Sequence, residues 1–194
     1  IYRTRVLEKL EIDAPGLIIE DFNMTFEVHK KRLGKIAYLP NVYGIHQDPY
    51  TLHDYMKQVK RWNVGFFQTV KRNGLWPGFF WLATGSFLLE MILFAMFLTV
   101  TPILIVLFAM NGFAPITVPY LYTGLTLSDL LIGIFLMDYI QTVFVAVFEK
   151  KPILLFYGIG FIFLRYIDGL IFLYSIPKAF LTTSSGTWSS PKRQ

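Results

Sequence analysis

The sequence predicts the closing edge of an α/β domain, then an amphipathic helix at a membrane interface, then an α-helical transmembrane bundle. Three observations predict this order. Only 16% of the 194 residues are charged and 54% are hydrophobic, against roughly 25% charged in an ordinary soluble domain. The charges are also unevenly placed, with 20 of 31 in residues 1–75. Finally, three long runs of Phe, Leu and Ile fill most of residues 78–176, a membrane composition. The expected boundaries are 1–49 for the α/β part, 50–75 for the interface helix, 76–181 for the transmembrane region and 182–194 for a polar tail.

Charge and cysteine usage narrow the function classes. The net charge is +5, and a membrane surface accounts for it better than nucleic acid, which is not an expected partner. There is no cysteine, hence no disulfide framework, thiolate metal site or thiol nucleophile. The chain opens on Ile1 without a signal-peptide pattern, and a preceding portion is expected.

Within residues 1–49 short apolar runs alternate with charges. Leu17-Ile18-Ile19 precedes Glu20-Asp21 and a helix expected over 22–32, while Lys35 to Leu39 reads as a strand before Pro40. Fewer than fifty residues bury little core alone, so both runs are expected to need a neighbouring sheet. From Thr51 to Arg72, Leu52, Tyr55, Met56, Val59, Phe66 and Val70 recur at helical spacing, with Lys57, Lys60, Lys71 and Arg72 on the other side. Such a helix lies in the membrane interface with its bases toward anionic headgroups. The alternative is a helix packed on its own soluble domain.

The apolar stretches are 78–110, 116–148 and 152–176. A 33-residue helix spans about 50 Å, well over the hydrocarbon core of about 30 Å, so the first two must tilt, protrude or break. Pro102 is the expected kink and Pro119 confines the start of the second. Residues 111–115 carry no charge, whereas residues 57–72 and Glu149-Lys150-Lys151 are basic. The positive-inside rule therefore places the amphipathic helix and the 149–151 turn in the cytoplasm, and 111–115 outside. A third full crossing would leave Lys178, Lys192 and Arg193 outside, against the same rule. A re-entrant or interfacial third stretch that returns the tail to the cytoplasm resolves this conflict.

Gln58, Arg61 and Trp62 form Q-x-x-R-W on the amphipathic helix, and spacings of three and four bring them to one surface. Gly65 shares that surface and leaves room for a ligand. An amide for hydroxyls, a guanidinium for phosphate and an indole for a sugar ring suit a glycosyl diphosphate or a glycan. The plain alternative is an interface helix with an anchoring Trp. Glu20 and Asp21 end an apolar run, a placement in which an acid can serve as general base. The plain alternative is an N-cap for the helix that follows.

The string formed by Glu20-Asp21, Thr25, Gly34-Lys35 before Tyr38, Pro40, Pro49, Gln58 to Trp62 and Gly65 resembles the membrane-integrated family 2 glycosyltransferases. That group holds the cellulose, chitin, hyaluronan and poly-N-acetylglucosamine synthases. The resemblance is specific over residues 18–65 and architectural beyond them. It implies the C-terminal part of a GT-A catalytic domain, with its catalytic side cytoplasmic. It also implies an inverting transfer of sugar from a nucleotide sugar to a glycan or lipid-linked acceptor. Asp21 resembles the catalytic base beside Glu20, Arg61 the diphosphate contact, and Gln58 and Trp62 the residues holding donor and acceptor. Two positions depart from the pattern: Ile19 stands where the family often has Thr, and Gln47 before Asp48-Pro49 where it commonly has Glu.

The chain also has no D-x-D, so the Mg²⁺ or Mn²⁺ that the resemblance implies is expected to be held outside it. An N-terminal GT-A half, on the same or a separate chain, is the expected partner beside membrane lipid, and the chain without it is expected to be inactive. Trp188 and Arg193 in the tail resemble gating residues, with an unstructured polar tail as the alternative. His29, His46 and His53 share no helical face, and a metal reading is not favoured. Glu90, Asp138, Arg165 and Asp168 lie inside apolar stretches, where they either line a glycan path or lipid-acceptor groove or form a structural ion pair. Single-sugar transfer to polyprenyl phosphate, or a non-catalytic scaffold subunit, are the competing functions.

Overall fold

The computed structural model describes residues 3–37, 44, 48–116 and 124–183. The elements are α1 (Thr4–Leu7), α2 (Glu20–Lys30), α3 (Leu52–Asn73), α4 (Phe79–Met110), α5 (Leu127–Ile134), a π-helical segment (Phe135–Tyr139), α6 (Ile140–Phe148) and α7 (Ile153–Leu181). They form two compact units, one from residues 1–88 with 171–194 and the other from 89–170. α4 starts in the first and ends in the second, and α7 does the reverse.

The expected α/β edge is not there. Among the described residues there is no strand, only a single antiparallel bridge between Ile116 and Leu125. The physical reason is visible at Leu17 to Ile19. The Ile18 N–H donates to the side-chain oxygen of Gln68 at 3.2 Å, and Ile19 packs on Gly65. A helix thus covers the run, and a side-chain amide replaces the ladder partner that a strand would need. Lys35, Ile36 and Ala37 are exposed and not in a strand; Tyr38 and Leu39 fall outside the described residues.

The first unit is built on α2 and α3. α2 starts two residues before the expected Phe22, with Ile19 extended before its first turn and no side-chain cap. Its buried face carries Met24 and Val28, which join Leu10, Val6, Leu7 and Leu33 in a small core. α3 agrees closely with the expected helix. Thr51 caps it by accepting the N–H of Asp54, while Asp54 accepts from the Thr51 hydroxyl. Its C-terminal half buries Val64, Gly65, Phe67, Gln68 and Thr69, which matches packing on its own domain; in its other half Leu52, Met56 and Trp62 stay exposed.

The basic side of α3 is largely engaged in structure. Lys71 donates to the Phe180 carbonyl at 2.9 Å, and Arg72 pairs with Glu11 at 2.7 Å. Phe26, 3% exposed, meets Phe66, Trp76, Phe80 and Trp81 edge-on at centroid distances of 5.0–6.0 Å. Each such pair is worth about 0.5–1.5 kcal/mol beyond its buried area. The cluster ties α2 and α3 to the first turn of α4.

Among the described residues two helices are long and apolar enough to cross a membrane, α4 and α7. α4 continues through Pro102. The second expected stretch is shorter than 116–148, starts at Leu127 behind a Thr126–Asp129 capping box, and is interrupted by the π segment. In the second unit helices meet at small residues: Gly133 faces the Phe97 ring, Gly158 faces Thr142, and Gly169 faces the Ala95 backbone. α7 runs five residues past the expected end at 176, through Pro177.

Candidate functional site

The acidic first turn of α2 is anchored near the middle of α3. Ile19 touches Gly65, Phe22 lies edge-on to Phe66 at 5.7 Å, and Asn23 and Lys30 both reach Asn73. Phe26 also meets Phe66, at 5.8 Å, so the first two turns of α2 lie against α3 around Gly65 and Phe66. Glu20 and Asp21 are flanked by two residues fixed to α3 at 65 and 66. Arg61 and Trp62 lie one turn further along that helix. Glu20, Asp21 and Trp62 are exposed, and Gln58 and Arg61 are half-buried.

Two expectations change in detail. Gly65 does not leave room for a ligand: a Cβ there would stand 2.9 Å from Cγ1 of Ile19, so its missing side chain admits Ile19 instead. Asp21 is not an N-cap either. It occupies the first turn of α2 beside Glu20, where both carboxylates face the positive end of the helix dipole. The Thr25 hydroxyl donates to the Asp21 backbone carbonyl at 3.0 Å, which fixes the turn.

A buried polar network that sequence reasoning did not single out holds α2 on α3. Asn23 and Thr69 are fully buried, and Glu27 and Asn73 nearly so. Asn73 donates to Asn23 at 2.9 Å, Asn23 donates to Glu27 at 3.2 Å, and the Glu11 N–H donates to Glu27 at 3.2 Å. Burial acts to raise the Glu27 pKa, but hydrogen bonds from Lys31, Glu11 and Asn23 and the Lys31 charge outweigh it and hold the carboxyl below its ordinary range. The one sequence signal was an amide, Asn23, at a position the helix turns inward.

The remaining candidates lie elsewhere. Glu90 is exposed on α4. Arg165 and Asp168 share α7 at a spacing of three, and Arg165 donates to Gln141 at 3.4 Å. Asp138 falls in the π segment, with its side chain outside the described part, as are His46, Trp188 and Arg193. His29 stacks on Phe80 at 4.6 Å and His53 stands 3.9 Å from Asp54. Among the described residues no three of His, Cys, Asp or Glu are grouped to hold a metal ion.

Among protein families, Glycosyl transferase family group 2 matches residues 1–162. No curated protein and no solved structure matched the chain. The family match takes in both α2, with its acidic first turn, and the whole of α3. By that match the chain belongs to glycosyl transferase family group 2, a family that moves a sugar from a nucleotide-sugar donor to an acceptor.

Proposed function

We propose that the chain is the membrane and acceptor-site half of an inverting glycosyltransferase that acts on a glycan or lipid-linked acceptor. The observation that supports it is the Ile19–Gly65 contact, which fixes the Glu20-Asp21 turn to the helix that carries Gln58, Arg61 and Trp62. Asp21 takes the proton of an acceptor hydroxyl as its oxygen bonds to the anomeric carbon. The bond from that carbon to the diphosphate breaks in the same step, and the diphosphate leaves with the electron pair. The configuration inverts in a single displacement.

Arg61 offers the leaving diphosphate a planar two-pronged donor. Gln58 and Trp62 hold sugar hydroxyls and a ring face. No step passes through a metal held by these residues. The divalent cation and the nucleotide-binding surface are assigned to a GT-A part outside them. Membranes carrying the complete transferase, supplied with radiolabelled nucleotide sugars, test the reading. A long labelled product favours a polymer synthase, and a single labelled sugar on an isoprenoid phosphate favours one-step transfer. No incorporation with any donor leaves the scaffold alternative standing and overturns the catalytic one.

A further inference from the structure

We infer that Lys60, Tyr174 and Lys178 form a binding site for the phosphate of an anionic membrane phospholipid. Lys60 Nζ lies 4.8 Å from the Tyr174 ring centroid, and Lys178 Nζ lies 5.5 Å from the same centroid. Lys178 also donates to the Tyr174 hydroxyl at 3.4 Å. Two ammonium groups thus share one aromatic ring. Among the described residues neither lysine has a carboxylate partner. The ring faces attract both cations, but among the described residues no carboxylate neutralises their mutual repulsion. An anion between them would.

The site is built rather than a chance meeting of flexible side chains. Phe67 packs on Phe172 at 5.4 Å, Gln68 donates to the Thr182 carbonyl at 3.3 Å, and Lys71 donates to the Phe180 carbonyl at 2.9 Å. These contacts fix the last turns of α7 to α3 on both sides of Tyr174. They also consume Lys71, which leaves Lys60 and Lys178 as the pair available to a ligand. Tyr174 is 50% exposed, so the site is open. Its hydroxyl accepts from Lys178 and keeps its own hydrogen to give. Two ammonium groups and one phenol present three donors, a set that suits phosphate oxygens.

The position of the site decides the source of the phosphate, and this step rests on reading α7 as membrane-spanning. α7 has 29 residues, about 43 Å at 1.5 Å per residue, against a hydrocarbon core of about 30 Å. The surplus of about 13 Å is roughly nine residues. Placed at the end that meets the polar α3, it brings Tyr174 to the headgroup level, where Tyr is favoured and Lys extends toward phosphate.

The test is native mass spectrometry of the full detergent-purified protein titrated with phosphatidylglycerol, against phosphatidylcholine and inorganic phosphate as separate arms. Each lysine near an anionic surface is worth about a fivefold gain in binding, so K60Q/K178Q should lower phosphatidylglycerol affinity roughly 25-fold. Tyr174→Phe should give a smaller loss. K60R/K178R should retain binding, and K150Q/K151Q, an equal loss of charge elsewhere, should not weaken it. Unchanged affinity in K60Q/K178Q, or an equal loss in K150Q/K151Q, overturns the site. Inorganic phosphate displacing the lipid at equal concentration overturns the lipid assignment. The readout needs no sugar transfer, so a failed glycosyltransferase reading would show as absent turnover with lipid binding intact.

Discussion

Replacing Gly65 by alanine tests the contact on which the candidate site depends. A Cβ at that position would stand 2.9 Å from Cγ1 of Ile19, 3.1 Å from its Cβ and 3.2 Å from its Cδ1. Because one of these atoms is the Ile19 Cβ itself, a rotamer change cannot clear the clash, and the backbone before Glu20 must move. Overpacking of this kind costs about 1–3 kcal/mol. Alanine in a helix interior returns about 1 kcal/mol of propensity. The net expectation for Gly65→Ala is a loss of about 0–2 kcal/mol, with a larger fall in sugar transfer because the Asp21 turn is displaced.

Ile19→Ala removes Cγ1 and Cδ1, so the Gly65→Ala/Ile19→Ala double variant should be more stable than the two single losses predict by about 1 kcal/mol. Thermal unfolding of the detergent-purified proteins by circular dichroism measures the cycle. The reasoning is refuted if Gly65→Ala is stabilised by the full propensity gain, keeps wild-type transfer and shows no coupling to Ile19.

Arg61→Ala should weaken donor use strongly and Arg61→Lys should restore it only in part, because a point charge lacks the planar fork; Trp62→Ala should raise the acceptor KM more than the donor KM. Glu27 has a lowered folded pKa, so the stability it contributes is present above its ordinary value of 4.5 and is lost as pH falls through the folded value. Glu27→Gln should therefore flatten that acid limb of a melting-temperature profile, at a cost of about 1–3 kcal/mol at neutral pH. Were α4 and α7 both to cross the membrane, residue 183, held with the α7 end against α3, would lie on the same side as residue 57, and Lys150 would lie opposite, against the positive-inside placement of the 149–151 turn. In this cysteine-free chain, Thr183→Cys and Lys57→Cys should react with an impermeant thiol reagent from one side and Lys150→Cys from the other. Labelling of all three from one side would refute two crossings.

The helical elements were the legible part of the sequence. α3 could be read because its cap, its periodicity and its terminal Lys71-Arg72 all agree, and α4 because an unbroken apolar run leaves no other choice. The strand reading failed at Leu17 to Ile19 because a short apolar run carries no period of its own. Whether it joins a sheet or lies on a helix depends on partners such as Gln68 and Gly65, fifty residues away. The second apolar stretch was overextended at its start because apolar composition alone does not mark where a helix begins, here at the Thr126–Asp129 capping box. At the site, residue types and spacing on α3 were legible. The role of Gly65 was not, since a helical glycine looks the same whether it faces a ligand or an isoleucine. The pairing of Lys60 with Tyr174 and Lys178 was equally hidden, as it joins residues more than a hundred positions apart.

The central claim is that Asp21 is the base of a sugar transfer carried out beside Arg61 and Trp62. Single-turnover transfer from a radiolabelled nucleotide sugar, by membranes containing the complete transferase with Asp21→Asn, measures it most directly. Asp21 is exposed, so the variant should melt at the wild-type temperature, while the transfer rate falls by a factor of about 10² to 10⁴. A folded Asn variant that transfers sugar at close to the wild-type rate would contradict the account.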